Sequence, residues 1–115
     1  MPPSEDPALS YVMIEILVSL SREPLHGYAI KLDVEERIRG GFVLGSGSLY
    51  QALQRLQRRG LISEVPGLVA EDGRRGRTYR IEPEGGERLK RELERMDRVL
   101  ADARRYDVTA GERAS

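Results

Sequence analysis

The sequence predicts an α+β, mainly α fold: a winged helix-turn-helix with a long C-terminal dimerisation helix. Three observations carry this expectation. Three helical periodicities come in succession; two short strand-like runs then flank a Gly- and Arg-rich stretch; and one long, highly charged helix follows, with an apolar seam repeating every 3.5 residues on average. At 115 residues the chain has room for one domain and too little for two ordinary ones. The order of elements alone leaves other α+β folds open.

Asp6-Pro7 signals the first helix, a capping residue followed by proline at the first helical position. Leu9, Val12, Met13, Ile16, Leu17 and Leu20 then recur on one face, and Glu23-Pro24 is expected to end the element. A second helix follows His26-Gly27, with Tyr28, Ile30, Leu32, Val34 and Ile38 as apolar contacts and Gly40-Gly41 as its stop. Phe42, Val43 and Leu44 form an apolar connector. The third helix starts at Ser46 or Ser48, either a suitable N-cap, buries Leu49, Ala52, Leu53 and Leu56, and closes at Gly60. Leu61–Val65 and Arg77–Ile81 read as the strands of a hairpin, with Tyr79 and Ile81 on one face. The last helix runs from about Pro83 to Tyr106. Its residues Leu89, Leu93, Met96, Leu100 and Ala103 form the narrow seam of a helix packed on a long partner helix. The expected division is therefore 8–81 as a DNA-binding winged helix-turn-helix, 83–106 as a C-terminal dimerisation helix, and 107–115 as a disordered tail.

The chain has no cysteine, so neither disulfides nor a thiolate zinc site can staple it. Its apolar stretches are too short to span a membrane, and Met1–Pro7 lacks the basic start and apolar run of a signal peptide, so a cytoplasmic location is expected. Formal net charge is zero, with 19 basic and 19 acidic side chains, yet the charges are unevenly spread. Residues 1–40 hold 4 basic and 7 acidic groups, residues 41–81 hold 7 and 3, and residues 82–115 hold 8 and 9. All seven basic groups of the middle stretch are arginine, whose planar fork suits phosphates and guanine edges.

A helix that enters the major groove needs short polar residues at its start and longer ones further along. Ser46, Ser48, Tyr50, Gln51, Gln54, Arg55 and Arg58 on the third helix meet that requirement. Taken alone they would serve equally well as a solvated face; the neighbouring arginines tip the reading towards DNA. Arg74, Arg75 and Arg77 are spaced by Gly73 and Gly76, and arginines at a hairpin tip can grip phosphates or enter the minor groove. Catalysis has little to stand on. His26 is the only histidine, Ser46 and Ser48 lack an evident base, and Gly45–Ser48 lacks the lysine of a phosphate-binding loop. Glu35-Glu36 and Glu92/Glu94 read as solvated faces. No enzyme activity, metal or cofactor is expected. The rival to an operator-binding regulator is a winged helix kept as a protein-interaction module.

The segments Pro24–Ile30, Gly47–Leu56 and Gly60–Ile62 resemble the PadR family of transcriptional regulators, and Arg77–Ile81 with Gly85 is similar to that family's second wing strand leading into its last helix. The resemblance covers roughly residues 9–105. It implies a homodimer on a palindromic operator in double-stranded DNA, usually a repressor and often relieved by a small-molecule effector. It further implies a dimer interface formed by the last helix with the first, backbone contacts by Ser48 and Tyr50, and wing contacts by Arg74, Arg75 and Arg77. Three features depart from the pattern. Gln51 stands where the family usually has proline, Glu82 replaces a threonine cap ahead of Pro83, and the absence of tryptophan argues against an aromatic drug-stacking pore.

DNA affinity should fall steeply with salt despite zero net charge, because counterion release depends on local contacts, at about 0.9 in log–log slope per phosphate neutralised. Replacing Arg74, Arg75 and Arg77 together with alanine is expected to flatten that slope, measured by fluorescence anisotropy on duplex DNA across a salt series. An unchanged slope would remove the wing from the binding surface.

Overall fold

Seven elements follow one another along the chain: α1 (Tyr11–Leu20), β1 (Leu25–His26), α2 (Gly27–Arg37), α3 (Ser46–Arg58), β2 (Ile62–Val65), β3 (Thr78–Ile81) and α4 (Pro83–Arg105). The structure is a computed structural model and describes residues 8–38, 40–66 and 76–106. Helices dominate, and the strands form one antiparallel sheet in the order β1-β3-β2. This is the winged-helix architecture expected from the sequence.

The central helix is α1, which touches α2, α3, α4 and β3. Ile14 and Ser19 are buried along with Met13, Ile16, Leu17 and Leu20, so the helix is covered on more than the one face its periodicity suggests. It begins later than Asp6-Pro7, which lie outside the described residues. Ser10 is the cap, its Oγ accepting from the Met13 N–H at 3.2 Å. Leu9, ahead of the helix, still joins the core. The helix ends at Leu20, before Glu23-Pro24, with Ser21 as C-cap donating its hydroxyl to the Val18 carbonyl at 2.6 Å.

A side chain as polar as Ser19 can be fully buried only if it is bonded. Its hydroxyl donates to Asp33 Oδ2 at 2.6 Å and accepts from Arg37 Nη2 at 2.7 Å. Arg37 also binds the Glu15 carboxylate, the Glu15 carbonyl at 2.8 Å and Asp33 at 3.1 Å, tying α2 to α1. Burial works against charge on Asp33, but hydrogen bonds from Ser19, Arg37 and Arg22 outweigh it and hold the carboxyl below its ordinary range. The helix α2 stops at Arg37, short of Gly40-Gly41, because Ile38 is already extended. Both glycines have positive φ, 94° and 74°, and turn the chain into the connector.

The N-cap of α3 is Gly45 rather than a serine, and no side chain caps it. Its C-terminus is a Schellman motif: the Gly60 N–H bonds the Gln57 carbonyl at 2.9 Å and the Leu61 N–H bonds the Leu56 carbonyl at 3.0 Å. Gly60 supplies the required left-handed residue, φ 74°. The hairpin strands lie as expected, with Ile62 opposite Ile81 and Val65 opposite Thr78. A third strand, β1, adds to the two strands expected from the sequence; Leu25 faces Tyr79 and His26 faces Thr78. Two residues are too few to show a period, so only the pairing reveals it.

Two parts of α4 behave differently. Its early turns bury Gly85, Arg88, Leu89 and Glu92, closing the core against α1 and β3. Leu89, expected in the dimer seam, is thus only 7% exposed within its own chain. Glu92, expected to be solvated, is buried with Arg88 at 3.0 Å and also pairs with Arg95 at 3.0 Å. Burial opposes its charge, yet the hydrogen bonds from Arg95 and Arg88 keep its carboxyl below the usual range. Beyond Glu92 the helix is almost wholly exposed. Its 23 residues span about 34 Å, and more than half of that length is exposed among the described residues.

The start of α4 is pinned to Leu61, the residue directly ahead of β2. The Glu82 N–H bonds the Leu61 carbonyl at 2.9 Å, and a Cβ at Gly85 would stand 2.1 Å from that same oxygen. The Leu61 backbone cannot give way cheaply, and the Ile81 side chain crowds the same Cβ at 2.9 Å. Gly85→Ala is expected to destabilise the fold by about 3 kcal/mol. At the exposed neighbour Gly86, where an added Cβ meets nothing within 4 Å, alanine should instead stabilise by about 0.5–1 kcal/mol. Urea midpoints of the two variants check the contrast, and equal midpoints would refute it.

Candidate nucleic-acid interface

The amphipathicity of α3 decides which of its residues meet solvent. Leu49, Ala52, Leu53 and Leu56 are buried, so the helical repeat turns Gln51, Gln54 and Arg58 directly outward. Ser46, Ser48, Tyr50 and Arg55 are exposed on the flanks. All seven α3 residues singled out from the sequence therefore lie on solvent-accessible surface. With no side-chain cap at Gly45, the first-turn amides and the hydroxyls of Ser46 and Ser48 border one polar helix end. That combination suits phosphate oxygens.

The two flanks differ. Ser48, Gln51 and Arg55 line a shallow groove of about 200 Å³ together with Ala52, the α1 cap Ser10, and Val12 and Met13 of α1. Tyr50 instead leans on the start of α2, its ring against Gly27. His26 caps α2, with Nδ1 accepting from the Ala29 N–H at 3.3 Å, so the only histidine serves the backbone.

Glu35 supports the approach to α3, a role its spacing in the sequence does not show. Rather than being solvated, its carboxylate accepts from the Leu44 N–H at 2.7 Å and from Lys31 Nζ at 3.0 Å. The Leu44 amide, then Lys31, hold it below the usual carboxylate range. This bond fastens the connector immediately before α3 and so helps to set where α3 begins. Spacing alone could not reveal it, because the partner is a backbone amide nine residues away.

In the wing, Arg77 is 66% exposed and only loosely paired with Glu64 at 3.6 Å. Exposed pairs of this kind contribute little, so Arg77 can exchange Glu64 for a phosphate at small cost. Arg74 and Arg75 lie outside the described residues. Arg80, not singled out from the sequence, is exposed on β3 and 3.4 Å from Glu82. The Ser63 hydroxyl donates to the same Glu82 carboxylate, and with Arg80 it keeps that carboxyl below its ordinary range. Burial pushes the Tyr79 hydroxyl above its usual value, against a hydrogen bond from Arg77.

A second surface lies on the far part of α4. Leu93, Met96, Val99 and Leu100 are exposed, and an open hollow of about 290 Å³ is lined by Met96, Val99, Leu100, Ala103 and Arg95. Val99 falls outside the 3.5-residue seam yet joins this exposed face. Among the described residues, no helix is long and apolar enough to cross a membrane.

A family model described as the transcriptional regulator PadR-like family matches residues 16–91. A protein of Streptomyces fradiae, an uncharacterised 37.1 kDa protein in transposon TN4556, is 39% identical over 84 residues. That match takes in 73% of this chain but spans only 22% of the relative's length. Among solved structures, a PadR family transcription regulator from Clostridium difficile superposes with a TM-score of 0.74 at 25% identity, covering 84% of this chain and 98% of that one. A transcriptional regulator from Clostridium thermocellum gives 0.71 at 28% identity, over 84% and 89%. RosR of H. salinarum gives 0.66 at 28% identity, over 92% and 91%.

Proposed function

The chain belongs to the PadR-like family of transcriptional regulators, and we propose that it acts as a homodimeric repressor that lays paired α3 helices into an inverted-repeat operator. One observation carries this reading: α3 is anchored by four buried apolar residues and turns Gln51, Gln54, Arg55 and Arg58 to solvent. Those side chains have the reach and donor patterns that read adenine and guanine edges, and Ser46, Ser48 and Tyr50 suit the phosphates beside them. The wing supplies Arg77, with Arg74 and Arg75 proposed alongside it. We assign the chain no catalytic activity. Repression follows from occupancy, and release by a small-molecule effector completes the proposal.

The dimer is proposed on the exposed face of α4. Leu93, Met96 and Leu100 are 42%, 39% and 40% exposed, and Val99 is 60% exposed, which in a lone chain leaves an apolar stripe in water. Leu89 is taken up by the core of its own chain and leaves the proposed seam, whereas Ala103 stays in it and Val99 joins it. A two-fold interface uses each of these residues twice. Leu93→Asp with Leu100→Asp is expected to give a folded monomer, since neither side chain supports the core of its own chain. Light scattering with circular dichroism checks this, and a persistent dimer would move the interface elsewhere.

Operator reading is tested at single bases. Paired helices in successive major grooves stand about 34–36 Å apart, which calls for an inverted repeat selected from a random DNA library. Gln54→Ala and Arg55→Ala should relax preference at particular base pairs by about 1–3 kcal/mol each, as bidentate contacts do. Tyr50→Phe should lower affinity evenly across sequences. Competition against a panel of single-base operator variants separates the two patterns. Unchanged profiles in the Gln54 and Arg55 variants would remove these side chains from base reading, and a wild-type chain without operator or duplex affinity would favour the protein-interaction module.

A further inference from the structure

Gly27 opens α2, a place where glycine is a weak choice for a helix. Its backbone does not explain the residue, because its φ lies outside the left-handed region that favours glycine. Space does. A Cβ at Gly27 would stand 2.7 Å from the Tyr50 hydroxyl oxygen, 3.3 Å from Cζ and 3.5 Å from Cε1. The tyrosine ring of α3 thus rests on the bare backbone of α2.

The same residue is bound to the wing. The Gly27 N–H donates to the Arg77 carbonyl at 3.2 Å, and the preceding strand pairs His26 with Thr78. One buried residue therefore touches both halves of the candidate interface: the flank of α3 through Tyr50 and the base of the wing through Arg77. Tyr50 remains 46% exposed, so the side chain is steered without being covered as a whole.

We propose that Gly27 is a positioning residue for DNA binding, a seat that fixes the Tyr50 hydroxyl relative to the wing so that both meet the phosphate backbone in one register. This rests on the proposed reading of α3 as the DNA-contacting helix. The atom in the way of a Cβ is the far end of a side chain, so Gly27→Ala should displace Tyr50 rather than unfold the protein.

The test is a cycle of variants of the full chain on duplex DNA carrying the selected operator. Gly27→Ala is expected to keep the wild-type melting temperature and to lose about tenfold in affinity, the scale of one hydrogen bond to a charged group. In a Tyr50→Ala background the same substitution should cost nothing further. In a Tyr50→Phe background it should also cost little, because the most crowded atom is gone and the nearest ring carbon is at 3.3 Å. Nuclear Overhauser contacts between the Tyr50 ring and the Gly27 α-protons should be present in the free protein. Equal losses for Gly27→Ala with and without Tyr50 would overturn the proposal, and so would full affinity in Gly27→Ala or absent ring contacts. A wild-type chain that shows the ring contacts but binds no duplex would overturn the DNA reading itself, and the role of the seat with it.

Discussion

The burial of α1 on nearly all sides is the constraint from which the positions of α2, α3 and α4 follow. A short helix that touches three other helices and a strand must offer apolar groups in several directions, and Met13, Ile14, Ile16, Leu17 and Leu20 do so. Truncating any one of them leaves a cavity that cannot collapse without moving a neighbouring element, at a typical cost of about 2–5 kcal/mol. The orientation of α3 relative to the wing is therefore a property of the whole core. Ser19 is the exception in that helix, and its place is held by the Asp33 and Arg37 bonds that lock α2 against it.

Around that centre, short backbone bonds set the surface that faces outward. Glu35 holds the Leu44 amide and so the approach to α3; the Leu61 carbonyl receives the Glu82 N–H and so fixes the start of α4; Gly27 ties α2 to Arg77 in the wing. Each joint uses a backbone group and admits little slack. The proposed base reading by α3 needs such rigidity, because base-edge hydrogen bonds tolerate only small displacements.

The long helix α4 serves two environments in succession. Gly85, Leu89 and the Arg88–Glu92 pair face the core, while Leu93, Met96, Val99 and Leu100 face solvent. The ion pair lies just ahead of the exposed stretch. Buried at 8% exposure on both sides, it gains from mutual attraction only because its geometry is good and Arg95 adds a second bond to the Glu92 carboxylate.

Much of this was legible in the residues alone. Period, proline and glycine placed four helices and a hairpin, and the alternation of leucines with glutamine and arginine along α3 marked its outward face, because burial of apolar groups against a core is a local pattern repeated every turn. The motifs around His26-Gly27 and Ser48–Tyr50 pointed to the PadR-like family before any contact between them was visible. Helix ends were harder: Ser10 and Gly45 replaced the expected caps, since several capping residues stood within a few positions of each start. What no local pattern could supply were pairings between distant segments. The β1 strand, the Glu35–Leu44 bond and the seat of Tyr50 on Gly27 each join residues whose neighbours in sequence say nothing about the partner. The same holds for Leu89 and Glu92, whose spacing fits an exposed seam and a solvated face equally well. Which side of α4 lies against α1 is settled only when the whole core closes, because one helix period is compatible with either side.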